Sequence, residues 1–91
     1  MVEVRVPQPL RVHTGGEKMV QGTGGTIGEL LANLDRDYPG IKSGLFDDAG
    51  ELRQFVNVYV NDEDIRYLGR LDAPLAAGDT VSILPAVAGG G

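Results

Sequence analysis

Residues 26–40, TIGELLANLDRDYPG, carry the pattern from which the fold can be worked out. Thr26 is followed three positions later by Glu29, the spacing of a capping box, in which both side chains satisfy free backbone N–H groups at a helix start. The apolar residues that follow recur every three or four positions and form one stripe: Ile27, Leu30, Leu31, Leu34 and Tyr38. Pro39 and Gly40 end the pattern. The segment therefore predicts one amphipathic helix that covers an apolar layer.

A hairpin is predicted before this helix. Residues 2–6 (VEVRV) alternate valines with charged side chains, which is the period of a half-buried strand, and residues 10–12 (LRV) briefly resume it. Residues 13–16 (HTGG) are typical of a turn, and residues 17–21 (EKMVQ) predict the return strand. We expect Gly28, inside the helix, to allow a close approach to the sheet.

Three more strands are predicted after the helix. Residues 41–54 form a long connection, and residues 55–60 (FVNVYV) are the clearest strand, with alternate side chains on opposite faces. Residues 61–64 (NDED) predict a tight acidic turn, and residues 65–67 (IRY) a short edge strand. A turn at Gly-Asp leads into the last strand, residues 80–84 (TVSIL).

This element order predicts an α+β chain with the β-grasp, or ubiquitin-like, fold. The expected architecture is a mixed four- to five-stranded sheet with one main helix packed on one face. The β-grasp domain is expected to span residues 1–87, and residues 88–91 are expected to form a flexible C-terminal glycine tail. Since glycine has no Cβ, a partner can thread such a tail through a narrow channel and act on its carboxylate. A frayed end or an addition from cloning is the alternative explanation.

The amino-acid composition excludes several kinds of function. The chain has 91 residues, a formal net charge of −5 and no cysteine. Missing cysteines exclude disulfides, thiolate catalysis and iron–sulfur clusters, and they are typical of a cytoplasmic protein. The acidic charge disfavours nucleic-acid and membrane partners and would attract a basic protein surface. No signal peptide and no apolar segment of membrane-spanning length is recognised.

No catalytic or metal site is predicted, so the chain is not expected to be an enzyme. His13 is the only histidine and stands alone in a turn. The acidic residues 62–64 lack the spacing of a calcium loop, and a solvated hairpin turn explains them better. Residues 22–25 (GTGG) lack the Lys-Ser/Thr ending of a phosphate-binding loop. No bound cofactor is expected.

Three residues are predicted to dock a partner protein. Tyr59 lies on the strand face opposite the valines, which a single helix leaves uncovered. Leu84 and Val87 stand beside the tail, and whatever grips the tail must also touch its root. Arg66 and Arg70 either pair with acidic groups of a partner or are simply solvated.

The chain resembles, essentially end to end, the ThiS/MoaD family of ubiquitin-like sulfur carrier proteins, and within it most closely the CysO-type carriers. The segments that carry the resemblance are residues 7–16 (PQPLRVHTGG), 55–66 (FVNVYVNDEDIR) and 78–90 (GDTVSILPAVAGG), together with the helix start at Thr26. The Gly-Asp turn, the β-branched strand and the ending PAVAGG are together the most specific part.

The resemblance implies a definite chemistry. An E1-like adenylyltransferase would use MgATP to adenylate the terminal glycine carboxylate, and a sulfur donor would displace AMP and leave a thiocarboxylate. The sulfur would pass to a biosynthetic enzyme, either a PLP-dependent cysteine synthase or a thiosugar synthase, and a JAMM-type zinc peptidase acts in CysO-type systems. Since the chain has no thiol, any carried sulfur sits on its C-terminal carbon. A ubiquitin-like modifier joined to lysines through the same tail is the alternative function.

The resemblance also assigns roles within the tail. Ala88 and Gly89 would thread the partner's channel, and Gly90 or Gly91 would be the reactive terminus. The family pattern ends at Gly-Gly, whereas this chain has a third glycine. Either Gly91 reacts, or it is trimmed so that Gly90 reacts, or it is an addition from cloning.

Overall fold

The structure, a computed structural model, describes residues 1–53 and 56–85 of the chain. Its strands and α-helices are β1 (Val2–Arg5), β2 (Met19–Gly22), α1 (Ile27–Asp37), α2 (Ile41–Leu45), β3 (Val56–Val60), β4 (Glu63–Asp64) and β5 (Thr80–Pro85). Short 3-10 helices span Gln8–Thr14, Ile65–Tyr67 and Arg70–Asp72. Among the described residues, no helix has the length and apolar character needed to cross a membrane.

The five strands form one mixed sheet in the order β2-β1-β5-β3-β4. β1 and β5 are parallel, and the other three neighbouring pairs are antiparallel. The last strand in the chain therefore lies in the middle of the sheet, between β1 and β3. The structure confirms the predicted β-grasp fold, with five strands and one main helix packed on a single face.

Helix α1 begins as the capping box predicts. The Thr26 hydroxyl oxygen accepts a hydrogen bond from the Glu29 N–H at 3.2 Å, and the Glu29 carboxylate accepts one from the Gly25 N–H at 2.8 Å. Tyr38, at the end of the predicted stripe, is partly buried. The other four residues of the stripe are fully buried: Ile27, Leu30, Leu31 and Leu34. They pack with the inward side chains of the sheet into a single core.

Gly28 has a different neighbour from the one expected. A Cβ on Gly28 would lie 3.3 Å from the carbonyl oxygen of Leu71. The close approach is therefore to the 3-10 helix Arg70–Asp72, and the prediction that Gly28 brings the helix near the sheet is wrong.

The connection after α1 contains a helix that the sequence pattern did not indicate. The Asp35 carboxylate accepts hydrogen bonds from the N–H groups of Gly40 and Lys42, at 3.2 and 3.1 Å, and so supports the start of α2. Gly40 has a φ of 99°, which lets the chain turn directly from one helix into the next. At five residues, α2 is too short to show a helical period.

Two predicted strand segments are 3-10 helices instead. Residues 10–12 lie in the 3-10 helix Gln8–Thr14, where the Thr14 hydroxyl donates to backbone carbonyl oxygen and Gly15 ends the helix with a φ of 66°. Residues 65–67 lie in the 3-10 helix Ile65–Tyr67. The edge strand is β4, which was expected to be part of the acidic turn.

Replacing Thr26 by alanine removes the helix cap and leaves the Glu29 N–H without its side-chain partner. We expect the free energy of unfolding to fall by about 1 kcal/mol, the usual cost of losing a threonine cap. Urea denaturation followed by circular dichroism measures the change. Thr23→Ala, at an exposed position just before the helix, is the control and should have almost no effect. Equal losses in both variants would contradict the capping role.

Candidate functional site

One face of the sheet is covered by α1, and the opposite face carries the side chains predicted to dock a partner. Directly paired residues of neighbouring strands project to the same side of a sheet. The register therefore aligns one row across all five strands: Met19, Arg5, Ser82, Tyr59 and Asp64. Leu84 and Asn57 are paired in the next row. We call these seven residues the open face.

The structure places two of the three predicted docking residues on the open face. Tyr59 is half-buried there, and 45% of Leu84 is exposed, which is unusual for a leucine in a central strand. The two side chains lie on adjacent strands, with Tyr59 opposite Ser82 and Leu84 opposite Asn57. Their docking role stays a prediction. Val87 and the tail residues Ala88, Gly89, Gly90 and Gly91 lie outside the described residues.

The sequence did not predict that Met19 and Arg5 share the open face with Tyr59. Met19 stands on the edge strand β2 with 41% of its surface exposed, and Arg5 lies beside it on β1. Nothing local in the sequence brings these residues to Tyr59, because their alignment depends on the pairing of β1 with β5. Only the register of strands that are distant in the chain shows that they share one surface.

The edge of the open face is occupied by an ion pair. The Arg66 guanidinium contacts the Asp64 carboxylate at 2.7 Å, and the Arg66 backbone N–H donates to the same carboxylate at 2.9 Å. The guanidinium hydrogen bond, helped by the backbone one, lowers the pKa of Asp64 below its ordinary value of 3.8. Arg66 is therefore paired within the chain rather than simply solvated.

A hydrogen-bonded turn fixes where β5 begins. The Asn61 side chain donates to the Asp79 carboxylate at 3.0 Å and accepts from the Thr80 N–H at 3.0 Å. Asp79 also accepts from the Ala76 N–H at 2.9 Å, and these hydrogen bonds lower its pKa. The network ties the β3–β4 turn to the first residue of β5, and so holds the register that positions the open face.

The remaining candidates have structural roles. The His13 ring lies over Gly40, where a Cβ would come within 2.9 Å of it. Among the described residues, no group of three or more His, Asp or Glu side chains could hold a metal ion. The turn residues Asn61 and Asp62 have φ values of 50° and 74°, as a tight two-residue hairpin turn requires.

The sheet order, the single covering helix and the open face define a ubiquitin-like β-grasp protein, and comparisons with known proteins agree. The family model of the ThiS family matches residues 4–90. The chain is 50% identical over 91 residues to the sulfur carrier protein CysO of Mycobacterium tuberculosis, covering 98% of each. It is 38% identical over 65 residues to small archaeal modifier protein 3 of Haloferax volcanii, covering 71% of this chain and 70% of that protein.

Solved structures show the same relationship. The crystal structure of M. tuberculosis CysO superposes with a TM-score of 0.92 at 48% identity, covering 96% of this chain and all of that one. A chain of the BexX/CysO complex of Amycolatopsis orientalis superposes with a TM-score of 0.91 at 49% identity, covering 99% of this chain and all of that one. The chain therefore belongs to the ThiS family. Within that family it is a homologue of the CysO sulfur carrier proteins.

Replacing Arg66 by glutamine should raise the pKa of Asp64 toward 3.8, because the guanidinium hydrogen bond is lost. Since the folded-state pKa is lowered, the pair stabilises the fold above pH 3.8 and loses this contribution as the pH falls through the lowered pKa. Carboxyl carbon NMR during an acid titration measures the pKa. Arg36→Gln is the control, because Arg36 pairs only with Asp37 on the surface. An unchanged Asp64 titration in Arg66→Gln would contradict the assignment.

Proposed function

We propose that the chain is a cytoplasmic sulfur carrier whose C-terminal glycine is adenylated by an E1-like enzyme and converted to a thiocarboxylate. The observation that carries the proposal is the match to the ThiS family over residues 4–90, with 50% identity to a sulfur carrier protein over almost the whole chain. The chain acts as a sulfur-donor co-substrate and not as an enzyme.

The chemistry explains why a separate activating enzyme is needed. A carboxylate is a poor electrophile, because its negative charge repels nucleophiles and no good leaving group is present. Attack of the carboxylate oxygen on the α-phosphorus of MgATP releases pyrophosphate and forms an acyl-adenylate. A hydrosulfide equivalent then attacks the acyl carbon, a C–S bond forms and AMP leaves. The activating enzyme supplies the nucleotide, and this chain supplies the carboxylate.

The position of β5 in the sheet supports the proposal that this chain presents its tail to a separate enzyme. β5 runs through the middle of the sheet, so the strand that leads to the glycine tail is held on both sides by β1 and β3. Both predicted docking residues lie on the open face near the end of that strand. Leu84 is its penultimate residue, and Tyr59 is paired with Ser82, two residues before Leu84. We propose that the activating enzyme contacts these two side chains and Val87, and that Ala88 and Gly89 thread its channel.

The proposed partners follow from the same resemblance. They are the E1-like adenylyltransferase, a sulfur-accepting enzyme such as a PLP-dependent cysteine synthase or a thiosugar synthase, and a JAMM-type zinc peptidase. The existence of a complex between A. orientalis CysO and BexX supports the expectation that a carrier of this shape binds a partner protein.

A second function has specific support. Small archaeal modifier protein 3 of Haloferax volcanii is 38% identical over 65 residues. A protein modifier would share the adenylation step and then form an amide with a lysine of the target protein. Isopeptide-linked adducts in a cell lysate would favour this function, and free carrier with a thiocarboxylate end would favour the sulfur carrier.

Sulfur loading of the tail is tested by intact-mass measurement after incubation with the activating enzyme, ATP and sulfide. We expect the mass to rise by the difference between sulfur and oxygen, both in the chain as given and in a chain ending at Gly90. Gly90→Val in the shorter chain should block loading, because a branched side chain cannot pass a channel sized for glycine. Normal loading of that variant, or no loading of the unmodified chain where a known carrier is converted, would contradict the proposal.

Replacing Leu84 by serine should weaken docking to the activating enzyme. Truncating a well-packed apolar anchor at an interface costs more than about 1 kcal/mol, so we expect the KM for the carrier to rise by about fivefold to tenfold. Adenylation kinetics at varied carrier concentration measure it. Val12→Ser is the matched control, because Val12 is 79% exposed in the 3-10 helix that packs on α2. A KM unchanged by Leu84→Ser would exclude Leu84 from the interface.

A further inference from the structure

We infer that Arg5 is a specificity-determining residue of the open face, where it binds one carboxylate of the activating enzyme. The inference rests on the proposed function, which places that enzyme on this face. It goes further by naming the residue that fixes the orientation of the complex and the chemistry that this residue recognises.

Arg5 lies inside the row, one strand from the sheet edge. It is paired with Met19 on one side and Ser82 on the other, and Ser82 is in turn paired with Tyr59. Arg5 is exposed, and it therefore stands between an exposed methionine and a half-buried tyrosine in one row. Interface centres are enriched in methionine, aromatic residues and arginine, and three of the five residues of this row are of these types.

The guanidinium of Arg5 is free to bind a partner. Four other arginines are occupied within the chain: Arg66 by the Asp64 carboxylate, Arg36 by the Asp37 carboxylate, Arg11 by the Val6 carbonyl oxygen and Arg53 by the Ser43 carbonyl oxygen. Among residues 1–53 and 56–85, no carboxylate oxygen lies within 4.0 Å of Arg5 and no acceptor is hydrogen-bonded to it. Within these described ranges the Arg5 guanidinium makes no ion pair or hydrogen bond, although the carboxylates of Glu3 and Asp62 lie in its neighbourhood.

A hollow beside Arg5 has the right chemistry for a carboxylate. Its volume is about 210 Å³, and its walls are Arg5, Asn61, Asp62, Thr80 and Ser82. The Asn61 amide is already bonded to Asp79 and Thr80, so it serves the fold rather than a ligand. Arg5 offers a planar fork of N–H donors, and the hydroxyls of Thr80 and Ser82 can add further donors. An aspartate or glutamate side chain matches these donors, and since the Asp62 carboxylate in the same wall repels it, the pairing depends on Arg5.

The charge of the chain makes this site selective. The net charge of −5 attracts a basic partner surface, and Glu3 and Asp62, which lie close to Arg5, add to that attraction. A uniformly basic surface would meet repulsion at Arg5. A basic surface with one carboxylate placed to pair with Arg5 would be attracted both by the acidic groups and by Arg5, and only in one orientation. Complementary charges of this kind fix the register of a complex and reject wrong partners.

Charge reversal at Arg5 tests the inference. We compare the unmodified chain, Arg5→Glu and Arg36→Glu in adenylation kinetics and in calorimetric binding to the activating enzyme. Arg36→Glu is the matched control, because it makes the same change in net charge on the exposed side of α1. Thermal melting checks that all three chains are folded, which the exposure of both side chains leads us to expect.

Arg5→Glu should raise the KM for the carrier and the Kd at least about tenfold, with kcat changed less than about twofold, because like charges in an interface cost several kcal/mol. Arg36→Glu should change KM less than about threefold. The effect of Arg5→Glu should shrink between about 0.05 M and about 0.5 M salt.

An unchanged KM in Arg5→Glu, with normal activation of the unmodified chain, would overturn this inference and leave the proposed function standing. Equal effects of Arg5→Glu and Arg36→Glu would also overturn it, since net charge alone would then explain the result. If the unmodified chain is not activated where a known carrier is, the proposed function and this inference both fail.

Discussion

The pairing of β5 with β1 on one side and β3 on the other is the constraint on which the rest of this structure depends. It places Val81 and Ile83 under α1 and Ser82 and Leu84 on the open face. A slip of one residue would exchange these two sets, because alternate residues of a strand point to opposite faces. The buried valine and isoleucine therefore hold the register that also exposes the leucine.

The same pairing joins the open face to the strand that precedes the tail. β5 begins at the Asn61–Asp79 network and continues through the middle of the sheet to Pro85, after which the chain leads to its glycines. A partner that binds the open face is thereby positioned against the strand that delivers the tail. If the chain is the sulfur carrier proposed above, a partner gripping this face would lie beside the strand that precedes the C-terminal carboxylate.

The sequence predicted the elements whose signals are local and strong. The capping box at Thr26 and the stripe from Ile27 to Leu34 predicted α1, and the alternation of side chains predicted β1 and β3. Residues 10–12 and 65–67 were mistaken for strand, because runs of three residues show too few repeats to separate a 3-10 helix from a strand. The helix α2 was missed for the same reason.

The candidate site was predictable only in part. Tyr59 and Leu84 were found from strand alternation and their nearness to the tail, whereas Met19 and Arg5 join them through strand pairing between distant parts of the chain. The pairing of Arg66 with Asp64 depends on the 3-10 turn that follows β4, which the sequence pattern did not reveal. The predictions for Val87 and the tail concern residues outside the described ranges.

Tandem mass spectrometry of the chain after sulfur loading tests the central claim most directly, because it locates the added atom. The account predicts that the sulfur is found only in the C-terminal fragment, in place of one carboxylate oxygen of the last glycine. Sulfur attached to any other residue, or a terminal glycine found only in isopeptide linkage to lysine, would contradict it.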